Sequence, residues 1–301
     1  LQAKPLAELA FNLKTSANIM LLWLDGKWLN ANHAAVSVDN RSFRYGDGFF
    51  ETIKVVNGSM PLWPYHAKRY QLTAAKLGFE LNGYMNASFF EQKILELVSK
   101  NGHSRLARVR LTFFRGNGGL YDAVSAKPHV LIQSWALADA NNELNENGLE
   151  CIVYEGGIKA ADNLANLKTN NYLLYVLAAL EAQKQKANDA WVVNHRQQLA
   201  DSTIANIWVC KAGVWHTPPL EAGAVIGTMR QYLLDHLPAA GFVVQQTNFS
   251  TDFLADADAV FHSNAIYGIK WVKQVGKYSF SAATIPALYA RVVKPLWGST
   301  N

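Results

Sequence analysis

Lys168 lies in the segment NLKTNN (166–171), immediately ahead of a helical stretch. A lysine amine forms a Schiff base when its pKa is lowered toward the free base, and the positive end of a helix acts in that direction. Asp201, in LADSTIANIWV (199–209), precedes a strand. A carboxylate set against a pyridine nitrogen keeps such a ring protonated and able to accept electrons. Gly227-Thr228-Met229-Arg230 opens a helix on glycine, where free backbone N–H groups make a phosphate seat. Ser263-Asn264-Ala265 could add donors as a backbone turn or through hydroxyl and amide. The planar fork of Arg69 suits phosphate from the other half of the chain. Each feature alone has a plainer reading: a solvated lysine, a turn aspartate, an ordinary helix-start glycine, an exposed helical arginine. Together they describe a place for an anionic aromatic cofactor.

The elements that must carry these residues are legible from period and punctuation. LWLDGKWLN (22–30) and ETIKVVNGSMPLW (51–63) each set an Asp-Gly or Asn-Gly pair between apolar runs, which predicts two hairpins. Tyr65 to Leu77 reads as a helix with His66 and Arg69 on one face. LARVRLTFF (106–114) alternates, with Ala107, Val109 and Leu111 on one side and Arg108, Arg110 and Thr112 on the other. That pattern predicts an antiparallel strand with one polar face. The polar stretch 140–148 divides a small α+β domain (20–139) from a larger domain (149–301). In the second half, LECIVYE (149–155), DAWVVN (189–194) and ANIWVCKAGVWHTPP (205–219) read as strands, the last turning at Ala-Gly. DAVFHSNAIYGIKWV (258–272) reads as strand, tight turn, strand. Leu173, Val176, Leu177 and Leu180 form an i, i+3, i+4, i+7 stripe, expected to be the buried face of a helix after Lys168. Met229, Tyr232, Leu233 and Leu237 mark another helix starting at Gly227. The expected class is α+β, with two mixed α/β domains.

Composition narrows the function classes. Half the residues are hydrophobic and 17% charged, which indicates a folded globular chain. Two cysteines, Cys151 and Cys210, make no disulfide framework, and neither they nor the scattered histidines show metal-ligand spacing, so no metal is expected. A reducing cytoplasm fits. The net charge of +5 is spread along the chain without a nucleic-acid motif and suits an anionic small molecule equally well. No apolar run reaches membrane-span length. Residues 1–19 are interrupted by Asn12 and Lys14, which argues against a secretory signal, and they read as an extension outside the main fold.

In order and spacing these segments resemble the class IV aminotransferases, the group that includes branched-chain aminotransferases, D-amino-acid aminotransferases and aminodeoxychorismate lyase. RSFRYGDGFFETIKVVNG (41–58) looks like the family's N-terminal signature, and HAKRYQLTAAKLGF (66–79) resembles its His-x-x-Arg helix. LKTNNYLLYVLA (167–178) is similar to its Schiff-base segment, and DSTIANIW (201–208) stands at its Glu-x-x-x-x-Asn-x-aromatic motif. TPPLEAGAVIGTMR (217–230) and FHSNAIYGIKWV (261–272) resemble its phosphate turns. The likeness spans nearly everything from Met20 onward.

The resemblance implies the fold-type IV architecture, with the active site between the domains, pyridoxal 5'-phosphate as cofactor, and a homodimer with its site near the interface. It implies Lys168 as Schiff-base lysine and general base. Arg69, Asp201, Ala205, Asn206, Gly227, Thr228, Met229, Asn264 and Ala265 would be cofactor contacts. Phe43, Tyr45, Arg110, Leu120, Ala265 and Ile266 would stand on the substrate side. Four positions depart from the family pattern. Asp201 replaces the usual glutamate, Thr228 an aliphatic residue and Trp208 a Phe or Tyr. Leu120 stands where D-amino-acid enzymes and many of the lyases carry arginine. Amino transfer between an amino acid or amine and a 2-keto acid is the leading reading. A lyase releasing pyruvate and 4-aminobenzoate is the alternative, and a cofactor-free binding protein on the same fold is a third.

Overall fold

A computed structural model of the chain describes residues 20–33, 36–122 and 125–298; the proposed extension 1–19 lies outside the described residues. The first half forms a five-stranded antiparallel sheet from β1 (Leu21–Leu24), β2 (Lys27–Asn30), β3 (Gly48–Val56), β4 (Leu106–Phe114) and β5 (His129–Ala136), in spatial order 2-1-5-4-3. Helices α1 (Arg41–Tyr45), α2 (Trp63–Lys76) and α3 (Ala87–Lys100) accompany it. Asp25 and Gly26 turn β1 into β2 with φ of 48° and 90°, the paired positive values that a two-residue hairpin demands. The second expected hairpin stops at its turn. Asn57-Gly58 reverses the chain, but the return is one bridge, Val56 to Ser59. Pro61 cannot continue a ladder, and α2 begins two residues later.

The alternation of β4 has the expected consequence. Ala107, Val109, Leu111 and Phe113 are buried against α2 and α3 with Phe49, Tyr70 and Phe90. Arg108, Arg110 and Thr112 take the other face, which looks into a cleft.

The second half builds a larger mixed sheet from β6 (Leu149–Lys159), β7 (Asp189–Asn194), β8 (Leu199–Ser202), β9 (Asn206–Lys211), β10 (Val214–Thr217), β11 (Val243–Gln246), β12 (Ala259–Asn264), β13 (Gly268–Val275) and β14 (Tyr278–Ser279). Its order is 11-10-9-12-13-6-7-8, with β14 beside β13. Helices α4 (Leu173–Lys184), α5 (Thr228–His236) and α6 (Ile285–Leu288) complete it.

Helix α4 sits the opposite way round from the expectation. It buries Tyr175, Ala178 and Ala182 against β6 and β7, while Leu173, Val176, Leu177 and Leu180 are 43–70% exposed. Both faces of this helix are apolar, so periodicity did not fix which one turns inward. The alanine face allows the closer approach to the sheet. Among the described residues no helix is long and apolar enough to cross a membrane, and no His, Cys, Asp and Glu cluster could hold a metal.

Candidate active site

A cleft of about 480 Å³ opens between the polar face of β4 and the ends of the larger sheet. Its walls include Arg69, Arg110, Lys168, Asp201, Ala205, Asn206, Gly227, Thr228, Asn264, Ala265 and Ile266. Six separate stretches of sequence thus meet in one space, and the backbone around Lys168 is held firmly there. Phe50 N donates to Lys168 O (3.0 Å), Asn170 N donates to Gly48 O (2.9 Å), and Phe49 bridges Thr169, so the segment lies along β3. Asn166 Nδ2 fixes the upstream end by donating to the carbonyls of Leu220 and Ala224. Helix α4 starts at Leu173 rather than beside Lys168, so β3, and not the helix's positive end, positions this lysine. Lys168 Nζ meets the Tyr172 hydroxyl at 2.8 Å and lies over the Phe50 ring.

Asp201 forms the floor at the end of β8 and is 2% exposed. Asn206 Nδ2 (2.8 Å), the Val225 amide (2.8 Å) and the Tyr175 hydroxyl (3.1 Å) all donate to it. Burial raises its pKa, against the opposing pull of the Lys159 charge and these donors. Burial and the Asp201 charge push the Tyr175 phenol well up, so it stays a donor. Among the described residues no cationic group reaches Asp201 within ion-pair distance. A buried carboxylate served only by neutral donors and facing a cleft fits an incoming cationic ring nitrogen.

The other end fits an anion. The first amides of α5, from Thr228, have no side-chain cap. Gly227 is required here because a Cβ would strike Asn206 Oδ1. Arg69 Nη1 donates to Ile226 O (2.6 Å), bringing its guanidinium to that turn. Its Nε and Nη2 donate to Glu51, which also pairs with His66 Nδ1 at 2.6 Å. Burial alone would raise the Glu51 pKa. The Arg69 charge and hydrogen bonds, helped by His66, outweigh it and hold the carboxyl at about 2. A single guanidinium thus has its fork fixed before any ligand arrives. The donor set at both ends fits a phosphorylated pyridine aldehyde.

Several expected positions stand elsewhere. Met229 points into the core, which leaves only its amide near the turn. Ile266 N already donates to Asn264 Oδ1 (2.9 Å), so it is not free for a carboxylate. Phe43, Tyr45 and Leu120 do not line the cleft. Helix α1 docks through Ser42 and Arg41, leaving Phe43 77% exposed. The loop before Leu120 is tied by Arg41 to Gly119 O, and Leu120 is 57% exposed. Tyr172, Tyr175, Glu51 and Arg108 escaped the sequence reading. Arg108 shares the polar face of β4 with Arg110, and Tyr172 lies four residues after Lys168, so both carried a readable signal. Arg110 itself stacks on Phe50 at 3.6 Å and meets Thr112 Oγ1.

The family model for amino-transferase class IV matches residues 48–275. Aminodeoxychorismate lyase of Vibrio harveyi is 29% identical over 83% of this chain and 89% of its own length. A putative branched-chain-amino-acid aminotransferase of Methanocaldococcus jannaschii is 27% identical over 80% and 83%. The solved branched-chain aminotransferase of Thermoproteus uzoniensis, crystallised with norvaline, shares the fold with a TM-score of 0.80 at 21% identity, over 94% of this chain and 96% of that one. With its matched segment running from β3 to β13, the chain belongs to the class IV amino-transferase family of enzymes.

Proposed function

We propose that this chain binds pyridoxal 5'-phosphate in the cleft and transfers an amino group between an amino acid or amine and a 2-keto acid. The observation carrying this reading is the common wall shared by Lys168 Nζ, the cation-free buried carboxylate of Asp201, and the Arg69–α5 anion seat. When bound, the cofactor supplies an electron sink for the carbon next to the amine. Lys168 would hold it through Nζ, and the same Nζ would take and return the proton at that carbon. The Tyr172 hydroxyl orients Nζ. Asp201, braced by Asn206, Val225 and Tyr175, keeps the ring nitrogen protonated. Its side chain is one methylene shorter than the family glutamate. Arg69, the α5 amides and the turn at Asn264 and Ala265 grip the phosphate, and Arg110 faces a substrate carboxylate.

The two sheets are taken as two domains joined through 140–148. A homodimer is supported by the exposed apolar face of α4 and by Phe43 and Leu120, which are exposed among the described residues. A reducing compartment such as the cytoplasm suits the two buried free cysteines.

The likeness to the Vibrio harveyi lyase favours a second reading, in which pyruvate and an aromatic amine are released. A panel of L- and D-amino donors and simple amines, each with a 2-keto acid, tests both readings beside aminodeoxychorismate alone. Amino exchange that needs the keto acid supports transfer. Pyruvate release without an acceptor replaces transfer with the lyase.

A further inference from the structure

Asp189, at the start of β7, is a buried carboxylate that does not line the cleft. Its Oδ1 accepts from the Thr203 hydroxyl (2.5 Å), the Thr203 amide (3.3 Å) and the Ala190 amide (2.8 Å). Its Oδ2 lies 3.4 Å from Nδ1 of His262, a fully buried ring; this is an electrostatic contact rather than an aligned hydrogen bond.

The tautomer of that ring follows from its other neighbour. Trp191 Nε1 can only donate, and it reaches His262 Nε2 at 2.7 Å. Nε2 is therefore the acceptor, and the proton of the neutral ring sits on Nδ1, facing Asp189. Burial keeps the ring neutral, although the charge of Asp189 pulls the other way.

Two walls of the cleft begin at these contacts. Thr203 belongs to the turn between Asp201 and Asn206. His262 directly precedes Ser263, Asn264 and Ala265. Among the described residues the turns meet directly where Asn206 pairs with Ser263 across β9 and β12, and through a long side-chain bond, Asn264 Nδ2 to Ile204 O at 3.4 Å. Burying a charge to serve neutral donors is costly unless those donors are well placed, and here they are the roots of the two turns.

We propose that Asp189 is a positioning residue for the cofactor seat, holding one turn through Thr203 and the other through His262 from a layer behind the cleft. This inference rests on the reading that the cleft takes pyridoxal phosphate. Loss of the carboxylate would leave the β9–β12 pairing as the main tie between the turns and let their outer residues shift, loosening the grip on ring and phosphate without removing any group that touches them.

The test is a titration of cofactor-free protein with pyridoxal phosphate. Equilibrium dialysis and the absorption maximum of the bound form are followed, and thermal melting is recorded in parallel. Wild type, Asp189→Asn, Thr203→Val and the double variant are compared. Each single variant should weaken pyridoxal phosphate binding roughly tenfold, the cost of losing a hydrogen bond to a charged group. The double variant should be no weaker than Asp189→Asn alone, because the contact that Thr203→Val breaks is one of the two that Asp189→Asn already weakens. Wild-type affinity and absorption in the variants, with only a lowered melting temperature, would reduce Asp189 to a fold-stabilising role and overturn the proposal. So would losses that multiply in the double variant. If Asp189→Asn does not fold, Thr203→Val alone decides through its dissociation constant. A wild-type protein that takes up no pyridoxal phosphate refutes the underlying reading, and this inference with it.

Discussion

Lys168 Nζ and the Tyr172 hydroxyl meet at 2.8 Å, on a segment whose backbone is stitched to β3. The phenol therefore fixes where the amine points, while the strand fixes where the chain runs. Tyr172→Phe removes the first restraint and keeps the ring that packs on Phe50. The turnover number should fall by roughly 10- to 100-fold, the range for losing a hydrogen bond to a charged partner. Pyridoxal phosphate should still bind. Steady-state kinetics together with dialysis of the cofactor check this, and unchanged turnover would remove Tyr172 from the site.

Asp201 is expected to act through its charge. Asp201→Asn preserves the shape but keeps one acceptor oxygen, so it can accept from Asn206 or from Val225 and Tyr175 but not from both sides. Turnover should drop by about 10²–10³-fold, as for other removed electrostatic stabilisers. Asp201→Glu restores the family residue but must fit a methylene into a space already filled by three donors. It should lower stability by about 1–3 kcal/mol, read as an earlier urea midpoint. An equal or higher midpoint would mean that the shorter side chain leaves room at the floor.

Glu51 gives a pH signature. Its folded pKa lies at about 2, below the ordinary 4.5. A depressed carboxyl stabilises the fold above its unfolded pKa and loses that contribution as pH falls through the folded value. Glu51→Gln leaves Arg69 buried without its counter-charge and should cost about 3–5 kcal/mol at neutral pH. The gap to wild type should narrow between pH 4.5 and about 2. Chemical denaturation across that range tests it, and a gap independent of pH would contradict the assignment.

The face of α4 that carries Leu173, Val176, Leu177 and Leu180 should lie between two copies of the chain. Leu177→Lys places a charge in that contact and should shift sedimentation from dimer to monomer while far-ultraviolet dichroism stays the same. A dimer that tolerates the lysine puts the interface elsewhere.

That same helix marks a limit of what the sequence can tell. Strand and turn chemistry were readable because Asp25-Gly26 and the alternation of β4 each admit one local solution. The facing of α4 was not, because Tyr175, Ala178 and Ala182 make a second apolar face and only the sheet decides between them. That Arg69, Lys168, Asp201, Asn206, Gly227 and Asn264 line one cleft was legible through their order along the chain. Phe43 and Leu120 were not, since their place depends on what covers α1 and the loop around Gly119. Glu51 left a trace that could have been followed: a lone acid in the otherwise apolar run GFFETI (48–53) is either on an edge or paired, and Arg69 and His66 are its partners.

The most direct measurement is borohydride reduction of the protein after incubation with pyridoxal phosphate, followed by peptide mass mapping. The expected result is a single phosphopyridoxyl adduct on the peptide containing Lys168, absent from Lys168→Ala, with loss of the yellow absorbance band in that variant. Adducts scattered over surface lysines, or an unchanged absorbance in Lys168→Ala, would contradict a cofactor held at this nitrogen.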